Sequence, residues 1–112
     1  MNARYPLMGA ARAVVDEVND LIDRSRRRLI YTSQLREAAQ SIPANIREAL
    51  GRRHGPEREQ FFRFARGSAE ETDEHLRANF AARRLTSGTY LRLHNRLALI
   101  TRILKSFSPG EQ

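Results

Sequence analysis

The sequence predicts an all-α protein: an antiparallel up-down four-helix bundle with a proline kink in its second helix. Apolar residues recur at three- and four-residue spacing in four segments, as they do on the buried face of a helix. Short segments rich in Gly, Pro, Ser or Arg separate them, and no segment shows the strict alternation of a strand. Short connections make successive helices antiparallel neighbours. The chain of 112 residues fits a single domain, residues 1–112.

The first helix is predicted to begin near Pro6, which suits a first helical turn. It is expected to end near a group of arginines, because cations are favoured at the negative end of the helix dipole. These are Arg24, Arg26, Arg27 and Arg28. The predicted inward face consists of Leu7, Met8, Ala11, Val14, Val15, Val18, Leu21 and Ile22.

The second helix is predicted to run from near Tyr31 to Leu50, with Thr32 or Ser33 capping its start and Gly51 ending it.

Pro43 lies inside the second helix, where proline removes a backbone donor and clashes with the preceding turn. The apolar stripe keeps its phase across Pro43, which favours a kink; a break into two short helices is the alternative. Ser41 and Asn45 are short polar residues that can satisfy the loosened backbone groups.

The third helix is predicted to begin at Pro56, with Glu57 and Glu59 in its first turn near the positive end of the dipole. Its expected inward residues are Phe61, Phe64, Ala65, Ser68, Thr72, Leu76 and Phe80. Phe62 lies about 100° around the helix from Phe61 and is therefore expected at an interface or a groove.

The fourth helix is predicted to be capped by Ser87 and to end before Pro109. Its expected inward residues are Tyr90, Leu93, Leu97, Ile100, Leu104 and Phe107.

The formal net charge is +7 and the pI about 11.1, which favours polyanionic partners. Of the 20 cationic residues, 19 are arginine. Arginine suits phosphate and stacked bases, although GC-rich coding bias or a simply solvated surface accounts for the same composition.

The absence of cysteine excludes disulfides and thiolate sites. No membrane span or leader is apparent, so a cytoplasmic protein with no membrane partner is expected.

Arginines concentrate in the predicted connections, and these are the expected nucleic-acid contacts. Arg83 and Arg84 should lie at the same end of the bundle as Arg24, Arg26, Arg27 and Arg28. Arg52, Arg53 and Arg58 should lie at the opposite end.

The three histidines, His54, His75 and His94, show no spacing typical of metal ligation or of paired catalytic groups. No catalytic residue, metal or cofactor is therefore predicted.

Two motifs resemble a known family. They are similar to the signature of the four-helix-bundle proteins named after 23S rRNA intervening sequences. The first motif is Gln34-Leu35-Arg36 followed by Ser41-Ile42-Pro43-Ala44-Asn45-Ile46 and Glu48. The second motif is Phe61 to Phe64 followed by Ala65-Arg66-Gly67-Ser68 and Glu71. The motif residues are interpreted as structural: Ser41, Pro43, Asn45, Glu48, Arg66, Gly67 and Ser68. Asn45, Glu48 and Arg66 are expected to form a hydrogen-bonded polar cluster at the kink, and a ligand site is the alternative.

The resemblance implies a small homo-oligomer, commonly a pentamer, without demonstrated catalytic activity, and relatives that serve as accessory proteins of diversity-generating retroelements. The expected function is binding of nucleic acid, with structured RNA favoured, through arginine-rich helix ends. The alternative is a structural accessory subunit that docks on a protein such as a reverse transcriptase.

Overall fold

The computed structural model describes residues 4–25 and 28–107, and these residues form an all-α four-helix bundle. The helices are α1 (Arg4–Arg24), α2 (Thr32–Leu50), α3 (Pro56–Ala81) and α4 (Ser87–Ser106). Each helix packs against two others in the cyclic order α1, α2, α3, α4. Because the connections are short, this order gives the predicted antiparallel up-down arrangement. None of the described helices is long and apolar enough to cross a bilayer.

The core faces of α1 and α4 are the predicted ones. Leu7, Ala11, Val14 and Val18 of α1 are fully buried, and the other four predicted α1 positions are partly buried against the core. In α4 the buried residues are Tyr90, Leu93, Leu97, Ile100 and Leu104, with Phe107 packed at the edge of the same core. Both faces follow regular three- and four-residue spacing, and burial of such a stripe is the main source of helix stability in a bundle.

The predicted inward face of α3 is correct at Ala65, Thr72 and Leu76 and wrong at Phe64 and Phe80. Phe62 is buried, only 4% exposed, and stacks near Phe107 with ring centroids 5.0 Å apart, whereas Phe64 is 48% exposed. Phe61 is half-buried and Phe80 is exposed. Ala69 takes the buried place expected for Ser68. Phe62 is therefore a core residue, because its position continues the buried series through Ala65, Ala69, Thr72 and Leu76. Its edge also lines a small groove, which was the other place predicted for it.

Helix α2 runs from Thr32 to Leu50 without interruption, so the alternative of two short helices separated at Pro43 is wrong. Pro43 is buried within the helix. One turn around it, the Asn45 side-chain amide donates to both the backbone carbonyl and the hydroxyl of Ser41, each at 2.9 Å. A bend of the helix axis at Pro43 stays a prediction.

Two of the expected N-caps are placed differently. Tyr31 occupies the N-cap of α2 in the left-handed region and supplies no side-chain cap, so Thr32 and Ser33 lie outside the N-cap. The N-cap of α4 is Thr86, one residue before Ser87, and its hydroxyl accepts from the backbone N–H of Thr89 at 3.2 Å. A side-chain hydroxyl can cap a helix when its own residue has extended backbone geometry, and Thr86 has this geometry.

The contact between α1 and α4 is closed by an ion-pair group. Glu17 of α1 accepts from Arg92 and, through its other carboxylate oxygen, from Arg96 Nη1 at 3.3 Å. The carboxylate is mostly buried, while both arginines remain partly exposed. Charge as well as apolar packing therefore joins the first and last helices.

Asn79 is the fully buried polar side chain that ties α3 to the connection between α1 and α2. Its Oδ1 accepts from the backbone N–H of Ile30 at 2.7 Å. Its Nδ2 donates to the carbonyls of Ile30 and His75 at 3.0 and 2.8 Å. The amide thus satisfies both backbone groups of Ile30, in a segment with no regular secondary structure of its own.

We expect Asn79→Ala to destabilise the protein by about 2 kcal/mol or more, because both backbone groups of Ile30 lose their partner. Thermal unfolding followed by circular dichroism should show a midpoint lower by about 8 °C. Asn95→Ala is the matched control, since Asn95 is exposed on α4 and should change stability by less than about 0.5 kcal/mol. Equal melting temperatures for the two variants would contradict this role of Asn79.

Candidate nucleic-acid interface

Two connections meet at one end of the bundle and bring arginines together. The α1–α2 connection carries Arg28, and the α3–α4 connection carries Arg83 and Arg84. Arg84 Nη1 donates to the backbone carbonyl of Arg28 at 3.0 Å, so the two connections are in direct contact. We call Arg28, Arg83 and Arg84 with these connections the basic end. Arg26 and Arg27 lie outside the described residues.

A cleft of about 480 Å³ opens at the basic end between the last turn of α1 and the first turn of α4. Arg24, Arg28 and Arg84 contribute to its walls, and none of its described lining residues is acidic. Arg24 forms an ion pair with Asp20 at 2.7 Å. The side chain of Arg28 has no partner within the described part of the chain and is exposed to solvent. The amino end of α4 adds the positive end of a helix dipole to this cleft.

Arg83 has a strained backbone at the end of α3. Its φ is +59°, in the left-handed region. The N–H of Arg83 bonds to the carbonyl of Phe80 at 3.0 Å and that of Arg84 to the carbonyl of Asn79 at 2.7 Å. This hydrogen-bond pattern is a Schellman motif, in which the left-handed position is usually glycine. Arginine here holds an exposed cation at a position where its β-carbon is unfavourable.

The opposite end, around the α2–α3 connection, holds its arginines in contacts within the protein. Arg52 forms ion pairs with Glu48 at 3.1 Å and Glu57 at 2.5 Å, and its guanidinium lies 4.5 Å from the ring centroid of Phe61. Arg58 is buried, 7% exposed, because its guanidinium packs inward, 5.9 Å from the Phe62 ring centroid. Arg53 is exposed. Of the three arginines predicted here as ligand contacts, only Arg53 is both exposed and without a described partner.

The motif residues separate into a half-buried hydrogen-bonded group and a surface group. Ser68 donates to the Ser41 hydroxyl at 2.8 Å across α2 and α3, and Asn45 bonds to the same Ser41. Glu48 accepts from Arg52 Nη1 at 3.1 Å, one turn further along. Arg66 is half-buried on α3. Gly67 is exposed, and a Cβ there would meet no atom of the described chain within 4 Å.

Two histidines lie beside carboxylates, His94 across from α3 and His75 within α3. His94 Nδ1 lies 2.8 Å from Asp73 Oδ1, and His75 Nε2 lies 3.6 Å from Glu71 Oε2. The Tyr90 hydroxyl, which accepts from Arg77 Nε at 3.2 Å, raises the pKa of Arg77. No group of three or more histidines and carboxylates suited to a metal ion occurs in residues 4–25 and 28–107.

A family model described as 23S rRNA-intervening sequence protein matches residues 7–106. The chain belongs to this family. The match covers all four helices except the first residues of α1.

A solved structure shows that this family member shares its fold with a bacterial relative. The relative is described as a protein with unknown function from the S23 ribosomal protein family of Bacteroides thetaiotaomicron. The similarity covers 94% of this chain and 96% of that chain, with a TM-score of 0.79 and 22% sequence identity. Comparison with curated proteins gave no match.

Sequence reasoning missed Asn79, the residue that supports the basic end of this 23S rRNA-intervening sequence protein. Its side chain holds Ile30, and its backbone carbonyl accepts from Arg84, so both connections are attached to one position of α3. The available signal was an asparagine three residues after the inward-facing Leu76, on the same helical face.

We expect Arg83→Gly to stabilise the protein by about 1 kcal/mol, because glycine adopts the left-handed region without a β-carbon clash. The melting temperature should rise by about 4 °C. Arg84→Gly serves as the control, since Arg84 has no positive φ to relieve and should be neutral or less stable. A lower melting temperature for Arg83→Gly than for the unmodified protein would show that strain is absent at this position.

Proposed function

We propose that this protein is a non-catalytic, homo-oligomeric four-helix bundle that binds structured RNA through its basic end. The observation that carries the proposal is the contact between Arg84 and the backbone of Arg28, which brings two arginine-bearing connections together beside a cleft without described carboxylates. The name of the family, which refers to 23S rRNA intervening sequences, supports a setting in which structured RNA is at hand.

Phosphate contacts suit the chemistry of this end. Guanidinium groups bind phosphate oxygens with paired hydrogen bonds and stay charged at any physiological pH. Arg28 and Arg83 have no side-chain partner in the described part of the chain, so a ligand phosphate displaces no internal contact. Such contacts position a nucleic acid without reading its sequence. The proposed activity is therefore recognition of RNA backbone shape by a rigid pair of connections.

The difference between the two ends favours the basic end over the opposite end. At the opposite end Glu48 and Glu57 neutralise Arg52, and Arg58 is buried. Near the basic end Arg24 pairs with Asp20 and Arg36 pairs with Asp23, while Arg28, Arg83 and Arg84 are exposed and form no ion pair in the described part of the chain. The net charge of +7 then attracts RNA to the whole molecule, while the basic end orients it.

The test replaces Arg28, Arg83 and Arg84 together with glutamine. RNA affinity should fall, and the slope of log affinity against log salt should shrink by about 0.7–0.9 for each phosphate that the substituted side chains no longer bind. The measurement is RNA binding by fluorescence anisotropy across a salt series. The matched control replaces Arg47, Arg53 and Arg102, which are equally exposed and lie toward the other end of the bundle.

The control triple removes the same charge, so it should change affinity less and alter the slope little. Equal reductions in affinity from both triples would mean diffuse attraction and would contradict a dedicated end. If neither triple changes binding while the circular dichroism is unaltered, docking on a protein partner such as a reverse transcriptase replaces the RNA proposal.

Exposed apolar residues support the homo-oligomer. Phe64 projects from α3, and Leu91 and Leu99 project from α4, each exposed in the single chain. We expect light scattering at tens of micromolar to give a mass above the 12.9 kDa of one chain, with a pentamer as the expected ring. Phe64→Gln should lower this mass if α3 lies in the contact. A monomer under these conditions contradicts the oligomer.

A further inference from the structure

We propose that Tyr31 is a stacking platform for an unpaired base of the RNA bound at the basic end. This inference rests on the proposed function and narrows its ligand to RNA that presents at least one unstacked base beside its phosphates. Tyr31 lies in the α1–α2 connection, three residues after Arg28, and its side chain is 53% exposed.

Tyrosine at position 31 is unfavourable for the fold in two ways. Its φ is +58°, a left-handed conformation that is rare for a bulky residue. It is the N-cap of α2, where Ser, Thr, Asp or Asn would bond to the first turn, yet it makes no side-chain cap bond. Its backbone carbonyl alone serves the helix, by accepting from Leu35 N–H at 2.8 Å. Backbone strain at a residue whose side chain is exposed and makes no cap bond points to a function for that side chain.

Tyr31 is held in place through Ile30, the residue before it. Asn79 bonds to both the N–H and the carbonyl of Ile30, so the chain enters residue 31 with a fixed direction. The Tyr31 ring packs at an angle of 43° against His75, with centroids 5.8 Å apart. The ring is therefore oriented before any ligand arrives, as a stacking surface requires.

Arg28 suits a phosphate and Tyr31 suits a base of the same RNA segment. Arg28 and Tyr31 are three positions apart in the sequence, so their Cα atoms lie at most about 11 Å apart. A phosphate on Arg28 and a base on Tyr31 therefore belong to the same short stretch of RNA. Sequence-tolerant stacking of bases on aromatic rings beside cationic side chains is the usual mode for single-stranded nucleic acid. In structured RNA the unstacked bases available for it lie in loops, bulges and ends.

The other exposed aromatic rings serve less well. Phe80 is stacked on Tyr90 at 4.9 Å with nearly parallel planes, so one face of its ring is already covered. Phe64 lies on α3 beside Phe61, toward the opposite end and away from Arg28. Tyr31 is the aromatic side chain that the described structure combines with exposed arginines and a fixed backbone.

The experiment compares Tyr31→Asn and Tyr31→Phe on two RNAs at one salt concentration. One RNA is a hairpin with an unpaired loop, and the other is the same stem extended into a continuous duplex. Asparagine tolerates the left-handed region, so the fold should survive, which circular dichroism and melting temperature verify. Tyr31→Asn should weaken hairpin binding about 5- to 150-fold, as expected when one base is no longer stacked, and duplex binding by less than about twofold. Tyr31→Phe should keep hairpin affinity within about threefold.

The outcomes separate this inference from the proposed function. If the triple substitution of Arg28, Arg83 and Arg84 weakens both RNAs while Tyr31→Asn changes neither, the stacking role is overturned and the basic end stands. If Tyr31→Asn weakens hairpin and duplex equally, Tyr31 only supports the fold, and the inference fails. If neither RNA binds the unmodified protein, both proposals fail.

Discussion

The buried amide of Asn79 is the interaction on which the arrangement of the basic end depends. A connection without regular secondary structure has backbone groups that must find partners when it packs against helices. Asn79 provides both partners for Ile30 through its side chain, and its own carbonyl receives the N–H of Arg84. One residue of α3 therefore fixes two chain reversals relative to each other. The positions of the exposed arginines follow from that single point.

The two ends of the bundle use backbone conformation differently. At the opposite end the sharp reversal before α3 occurs at Gly55, whose φ of +143° only glycine adopts readily. At the basic end the left-handed positions are Tyr31 and Arg83, which both have large side chains. The opposite end thus has its positive φ at a glycine and pairs Arg52 with two carboxylates, whereas the basic end is strained and leaves Arg28 and Arg83 open to solvent. Stability is given up at the end where the side chains are exposed.

Spacing was sufficient to predict most of the fold, because the four helices and the inward faces of α1 and α4 follow from periodicity. The face of α3 did not follow, since Phe61, Phe62 and Phe64 satisfy two registers equally well. Only the packing of Phe62 on Phe107, more than forty residues away in sequence, selects between them. The candidate site was harder to predict from the sequence than the fold. Sequence places arginines in the connections, but whether one packs inward, as Arg58 does, depends on how the helices meet in three dimensions.

The ion pairs of Glu17 with Arg92 and Arg96 determine which helices of the bundle separate first. Helices α2 and α3 share the most extensive packing, whereas α1 meets α4 over a smaller area that Arg92, Arg96 and Glu17 close with charge. Ions weaken charged contacts and leave apolar ones intact. Local opening of the bundle therefore begins by separation of its first and last helices, and amide hydrogens along that line exchange before those of the α2–α3 pair. Rising ionic strength widens this difference in exchange rate, so the bundle opens along the α1–α4 edge before its other helix contacts separate.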